Sequence, residues 1–336
     1  MLYTCKQVSR TNELSKYYRL NCIPKEGNNL MRILVTGGAG FIGSHIVDLL
    51  LEKGHSVGVI DNLSTGVISN IPTNAKRYLI DIADPELESV FKDFNPEYVI
   101  HHAAQVSVQG SLNDPYTDAK LNILSTISLL NCCSKFPIKK FIYASSAAVY
   151  GKPMYLPIDE KHPIQPLSYY GLSKYTPEQY IKLFAEQNNF IYTILRYANV
   201  YGPRQDPKGE GGVVSIFFDQ LLQNKTPTIY GQGDQTRDFI YVKDIAAANA
   251  AALTLGHNQT INISSCSAVS VTTLFESIKS LFSSSPSLEA RYEQARHGDI
   301  THSTLDNTIA CNELHWKPIY SLKKGLSETY YYYLSN

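Results

Sequence analysis

Tyr170 and Lys174 stand at the two ends of the pentapeptide Tyr-Gly-Leu-Ser-Lys. On a helix this spacing puts a phenol and an ammonium on one face, a turn apart. A free tyrosine titrates at about 10 and is a poor base near neutrality. A neighbouring cation favours the phenolate, the form needed to take a proton from an alcohol. Tyr-x-x-x-Lys recurs by chance in a chain with 24 tyrosines, so its weight here comes from its position. Ser145 and Ser146 end the strand-like run "KKFIYASS" upstream of it. Strand ends of a doubly wound sheet face the ligand crevice. One of these two hydroxyls can therefore meet the same oxygen as Tyr170; the other reading of Ser145 is strand capping.

A second constellation is Gly37-Gly38-Ala39-Gly40-Phe41-Ile42-Gly43, which follows the apolar run "RILVT" and opens the helical pattern "FIGSHIVDLLLEKG". Glycine lets a backbone turn this tightly and approach a pyrophosphate, and a helix N-terminus supplies N–H donors with a positive dipole end. The next strand-like run, "SVGVIDN", carries Asp61 at its end. An acid there accepts hydrogen bonds from ribose hydroxyls and repels a 2′-phosphate, which selects NAD over NADP.

These residues need a scaffold, and the alternation of patterns supplies one. "RILVTG", "SVGVIDN", "YLIDI", "EYVIHHAA", "KKFIYASS" and "FIYTILRYANVYG" read as strands. Between them lie helical patterns, among them the long "DPYTDAKLNILSTISLLNCCSKF" and "YYGLSKYTPEQYIKLFAEQNN", where Pro177 is expected to bend the helix or mark an irregular first turn. Continuous apolar strands alternating with helices indicate an α/β fold: a Rossmann-type doubly wound parallel sheet covered on both faces. After Gly202 the pattern loosens, and "INISS" reads as one more strand returning to that sheet. The expected division is an N-terminal extension at 1–30, disordered or not native, an NAD-binding domain at 31–200 with returning segments, and a smaller α/β substrate lobe at 201–336.

Composition narrows the partners. The 30 basic and 30 acidic residues cancel, so no electrostatic pull toward nucleic acid or a membrane surface is expected. No run approaches the roughly 18 apolar residues of a membrane span. The cysteines Cys5, Cys22, Cys132, Cys133, Cys266 and Cys311 form no C-x-x-C pair. They read as ordinary thiols of a reducing cytoplasm, with no metal site. Residues 1–30 lack the apolar core of a secretory signal, and the first patterned segment starts at Met31.

The glycine spacing G-x-x-G-x-x-G with "DNLSTG" (Asp61 to Gly66) resembles the extended short-chain dehydrogenase/reductases. From Met31 to the C-terminus the chain resembles the UDP-hexose 4-epimerases in their short bacterial and archaeal form, through "SSAAVYG", "YGLSK", "LRYANVYGPRQDP", "GQGDQTRDFIYVKD" and "RHGDITHSTLD". The resemblance implies that NAD stays bound, accepts hydride from the sugar C4 and returns it to the opposite face after the keto sugar swings about its diphosphate. Tyr170 takes the 4-hydroxyl proton. Ser146, where the family pattern begins, hydrogen-bonds that oxygen. Lys174 holds the nicotinamide ribose and lowers the pKa of Tyr170. Cofactor contacts are implied for Gly37, Gly40, Phe41, Ile42, Gly43, Asp61, Asn62, Ser64, Thr65, Gly66, Asp81, Ile82, Ala103, Ala104, Asn122 and Tyr197. Substrate contacts are implied for Asn199, Arg237, Arg296, Asp299 and Ser303. A planar guanidinium suits diphosphate because it donates in pairs.

Related dehydratases carry acids after the strand-end Ser/Thr; here those positions are Ala147 and Ala148, which cannot transfer protons. UDP-glucuronate 4-epimerases also use small residues there and stay as the alternative. Ser303 stands where a bulky Tyr crowds the sugar's 2-substituent in glucose/galactose-restricted members, so an N-acetyl group is expected to fit. A non-catalytic NAD-bound scaffold typically lacks the Tyr or the Lys. The resemblance also implies a homodimer, with the helices near 114–135 and 169–188 forming a four-helix bundle.

Overall fold

The computed structural model describes residues 30–207, 212–282, 289–295 and 300–335. The expectation for residues 1–30 lies almost wholly outside them. Residues 31–336 form one compact unit.

Its centre is a seven-stranded sheet built from β1 (Arg32–Thr36), β2 (Ser56–Ile60), β3 (Lys76–Tyr78), β4 (Tyr98–His101), β5 (Lys140–Ser146), β6 (Ile191–Tyr197) and a later strand, Gln259–Ile263. The order across the sheet is β3-β2-β1-β4-β5-β6 and then Gln259–Ile263, and each of these pairs is parallel. Strand order reverses direction between β1 and β4, which opens the crevice where such sheets take ligands. "INISS" thus returns to the main sheet as expected. The third strand lies earlier than "YLIDI" suggests. Lys76 and Arg77 are exposed at the sheet's edge, where an apolar run gives no guide to pairing.

Helices cover both faces. On one, α1 (Phe41–Glu52) joins the core of Ile33, Val35, Ile46, Leu50, Ile142 and Leu195. On the other, α2 (Leu87–Phe94) and the helices after β4 and β5 bury Phe91, Leu129, Phe141, Ile181 and Ile194. A third core gathers Phe217, Phe218, Phe239, Leu274 and Phe275 among the later elements.

The long helix expected after Asp114 is three segments: Pro115–Ala119, a π turn at Lys120–Leu124, and Ser125–Cys133. Ser125 Oγ donates to the Lys120 carbonyl at 3.1 Å, a side-chain bond that fits the wider turn. The catalytic-motif helix, Tyr169–Asn188, is assigned as 20 unbroken helical residues with Pro177 inside. Ser168 caps it by accepting from the Gly171 N–H at 3.0 Å. "FIYTILRYANVYG" divides at Ala198: β6 stays in the main sheet, while Asn199–Tyr201 pairs in parallel with Thr236–Tyr241 in a separate three-stranded sheet.

Candidate active site

The glycine turn follows β1 directly. Gly37 sits at φ +69°, and a Cβ there would lie 2.6 Å from the Ala103 nitrogen. A Cβ at Gly43 would run into the Gly37 carbonyl. The turn therefore closes only with these glycines. Gly40 is the N-cap of α1, extended, and no side chain caps that helix start. Backbone donors and the positive dipole end are left for an anion. Asp61 is 8% exposed; its Oδ2 accepts from the Ala39 N–H at 2.9 Å and its Oδ1 from the Leu63 N–H at 2.8 Å. The carboxylate thus shapes the turn. Beside it, Asn62 Nδ2 donates to Asp81 Oδ2 at 2.8 Å, and Asn62 Oδ1 accepts from the Ser64 N–H at 3.0 Å. Gly66 packs over Asp61 and Ala39, Ser64 and Thr65 are exposed, and Ile82 is buried. Phe41 and Ile42 are half-buried on the first turn of α1. A cradle of small residues, free helix-end donors and a strand-end carboxylate fits a dinucleotide.

Across the crevice, β5 ends at Ser146, whose register partner on β6 is Tyr197. Ser146 Oγ accepts from the Ala148 N–H at 3.2 Å, and its side chain lies near enough to the Tyr170 phenol to favour the phenolate. Ser145 points elsewhere: its hydroxyl donates to Glu178 Oε1 at 2.6 Å. Of the two serines, Ser146 is the one beside Tyr170. Lys174 is 5% exposed, and its ammonium lies 4.9 Å from the Tyr143 ring centroid. Burial lowers its pKa to about 8, opposed by the carboxylates of Glu178 and Asp118. Tyr170 moves the other way. Burial raises its phenol above the ordinary value, the Ser146 hydrogen bond lowers it, and Asp118 adds to the rise. Desolvation of the phenolate, not the lowering expected of Lys174, sets the direction.

Asn122 is 2% exposed and not on a helix surface. Its Oδ1 accepts from the Gln105 N–H at 2.8 Å, and its Nδ2 donates to the Gln105 carbonyl at 3.0 Å and to Ser173 Oγ at 2.9 Å. It acts from behind, tying the loop that carries Ala103 and Ala104 to the Tyr170 helix. Tyr197 is held by Asn249, whose Nδ2 donates to its hydroxyl at 2.8 Å, and stacks on His102 with centroids 5.8 Å apart. Burial lowers the His102 pKa to about 3.

Sequence reasoning missed a buried ion pair under the site. Glu178 takes two bonds from Arg196, Nε at 2.9 Å and Nη2 at 2.6 Å, besides the one from Ser145. The signal was present: a charged residue inside the apolar strand "YTILRYANV" requires a buried partner.

On the far side, Asn199 and Arg237 lie on adjacent strands of the three-stranded sheet; Asn199 pairs with Phe239, two residues past Arg237. Arg237 Nη1 donates to the Thr236 carbonyl at 2.9 Å. Ser303 is half-buried beside them, its N–H donating to the Thr236 carbonyl at 3.2 Å. Arg296 and Asp299 lie outside the described residues. Among the described residues no cluster could hold a metal ion, and no helix is long and apolar enough to cross a membrane.

A glycine-cradled dinucleotide crevice beside Ser146, Tyr170 and Lys174 defines an NAD-dependent enzyme of the extended short-chain dehydrogenase/reductase type. Residues 33–264 match the model of the NAD dependent epimerase/dehydratase family. The chain belongs to that family, and within it to the NAD-dependent UDP-sugar 4-epimerase group. It is 49% identical over 295 residues to a provisional UDP-glucose 4-epimerase of Methanocaldococcus jannaschii, covering 88% of this chain and 95% of that protein. The solved UDP-glucose 4-epimerase of Thermotoga maritima, with UDP-glucose, is 44% identical at a TM-score of 0.88, covering 91% and 99% of the two chains. A UDP-N-acetylglucosamine 4-epimerase of Methanobrevibacter ruminantium, solved with UDP-N-acetylmuramic acid, is 38% identical at 0.86, covering 91% and 99%.

Proposed function

We propose that the protein inverts C4 of UDP-glucose and UDP-galactose, and of UDP-GlcNAc and UDP-GalNAc. The observation that carries this reading is Ser146 set beside the Tyr170 phenol with Lys174 buried nearby, followed by Ala147 and Ala148. Such a site can take a hydroxyl proton and return it, but those two positions offer no further acid to expel a leaving group. Tyr170 removes the 4-hydroxyl proton, Ser146 holds the same oxygen, and Lys174 supplies positive charge to the phenolate. Gly37, Gly40, Gly43 and Asp61 hold NAD, which supplies the hydride acceptor and a positive ring.

Asn199, Arg237, Arg296 and Asp299 hold the UDP moiety, and residues 201–336 serve as the substrate lobe. Ser303 leaves room for a 2-acetamido group. The second reading is a UDP-glucuronate 4-epimerase, since such an enzyme of Bacillus cereus is 31% identical at a TM-score of 0.83. A homodimer joins through the Tyr169–Asn188 helix and the segment before it. Leu172, Tyr180 and Leu183 form an exposed apolar stripe at helical spacing, with Tyr116 and Leu124 exposed on the neighbouring segment.

The test is turnover of a UDP-sugar panel by purified protein without added NAD. Interconversion of both the hexose and the N-acetylhexosamine pairs is expected. Turnover of UDP-galactose with none of UDP-GalNAc defeats the role given to Ser303; turnover of UDP-glucuronate alone selects the second reading.

A further inference from the structure

Thr36, His101 and Thr126 are each 0–1% exposed, and their hydrogen bonds run in one direction. Thr126 Oγ1 lies 2.6 Å from the Asn122 carbonyl oxygen, to which it donates. Its hydrogen being committed, it must accept from His101, whose Nε2 is 2.9 Å away. With the proton on Nε2, Nδ1 is an acceptor, and Thr36 Oγ1 donates to it at 2.7 Å. Thr36 Oγ1 accepts in turn from the N–H groups of His102 and Ala103, each at 3.2 Å.

The two ends of this line are the two halves of the site. Ala103 begins the loop that packs against Gly37. Asn122 sits in the π turn, and its side chain donates to Ser173 Oγ, which donates to the Tyr170 carbonyl at 3.1 Å. A second proton on the imidazole would break the sequence. It would set a third N–H donor against Thr36 Oγ1 and leave the threonine hydrogen without its acceptor. Burial holds the imidazole well below its ordinary pKa, and Lys174 and His102 disfavour a further cation beside it.

We propose that His101 is a positioning residue, whose Nε2–H tautomer sets the spacing between the cofactor loop and the helix that carries Tyr170 and Lys174. It acts through Thr36, Thr126 and Asn122 rather than on substrate. The inference rests on the epimerase reading for its kinetic readout alone.

The experiment uses the full chain loaded with NAD, in four forms: Thr126→Val, His101→Leu, His101→Gln and the Thr126→Val/His101→Leu pair. Thr126→Val keeps the side chain's shape, and glutamine can still present one donor and one acceptor. Thr126→Val and His101→Leu are expected to lower kcat by about tenfold or more with KM for the UDP-sugar nearly unchanged, the signature of misplaced catalytic groups. His101→Gln recovers most of the rate, and the paired variant is no slower than the slower single one. Amide exchange in Thr126→Val rises at both 120–126 and 170–176. The ¹⁵N histidine spectrum shows an Nε2–H ring that stays neutral through the ordinary imidazole range near about 6.5 and vanishes in His101→Gln. If His101→Leu does not fold, Thr126→Val carries the kinetic test. A Thr126→Val protein that is less stable but has wild-type kcat overturns the proposal, as does a titrating or Nδ1–H ring at His101. If wild-type protein turns over no UDP-sugar, the epimerase reading fails, while exchange and the spectrum still decide this one.

Discussion

The crevice has two unlike walls. On the main-sheet side, β1, β4 and β5 deliver Gly37, Ala103 and Ser146 from strands whose interior residues are buried, and the polar groups behind them are hydrogen-bonded to one another. On the other side, Asn199, Arg237 and Ser303 stand on a three-stranded sheet and a loop, exposed or half-buried. Under the proposed function the contrast divides the tasks. A buried, interlocked wall fixes proton and cofactor positions within the tolerance that chemistry demands. A shallower wall can change what it grips without disturbing that chemistry. Substitutions on the first wall should therefore strike kcat or folding, and those on the second KM and substrate choice.

The largest effect is expected at Tyr170→Phe: a loss of about 10²–10⁴-fold in kcat, with NAD content after purification unchanged. Loss of NAD with the activity would move Tyr170 from chemistry to cofactor retention. Next is Glu178→Gln, which leaves the Arg196 guanidinium buried without its carboxylate. It should cost about 3–5 kcal/mol in urea unfolding; a cost under about 1 kcal/mol would show that the pair is dispensable. Lys174, lowered to about 8, loses its proton as pH rises. kcat/KM should therefore show a basic limb near there, and a profile flat well above it would contradict a required ammonium. On the second wall, Arg237→Ala should raise KM for UDP-sugars by about tenfold with kcat little changed, since uniform binding is lost. Smallest in its effect on UDP-galactose turnover is Ser303→Tyr, which should leave that near wild type while abolishing turnover of UDP-GalNAc.

The first wall was also the more legible in the sequence. Glycine spacing, a strand-end acid and Tyr-x-x-x-Lys are local patterns, and local patterns survive in one dimension. β1, β2, β4 and β5 read correctly because an interior strand covered on both faces must be apolar throughout, and the returning strand at one edge still carries a buried run, Ile261–Ile263. β3, at the other edge, did not, because its Lys76 and Arg77 are exposed. The π turn at Asn122 was illegible: the amphipathic pattern around it is helical, and only the packing of Asn122 against Gln105 and Ser173 calls for a wider turn. The rise of the Tyr170 pKa was missed for a similar reason. Sequence shows the lysine four residues on, but not the burial that raises the phenol.

The central claim is that the C4 hydrogen leaves the sugar as hydride and returns to it, while Tyr170 handles only the hydroxyl proton. UDP-galactose labelled with deuterium at C4, converted in ordinary water, tests this directly. UDP-glucose that keeps the deuterium at C4 is expected. Product carrying hydrogen from water at that carbon would contradict it.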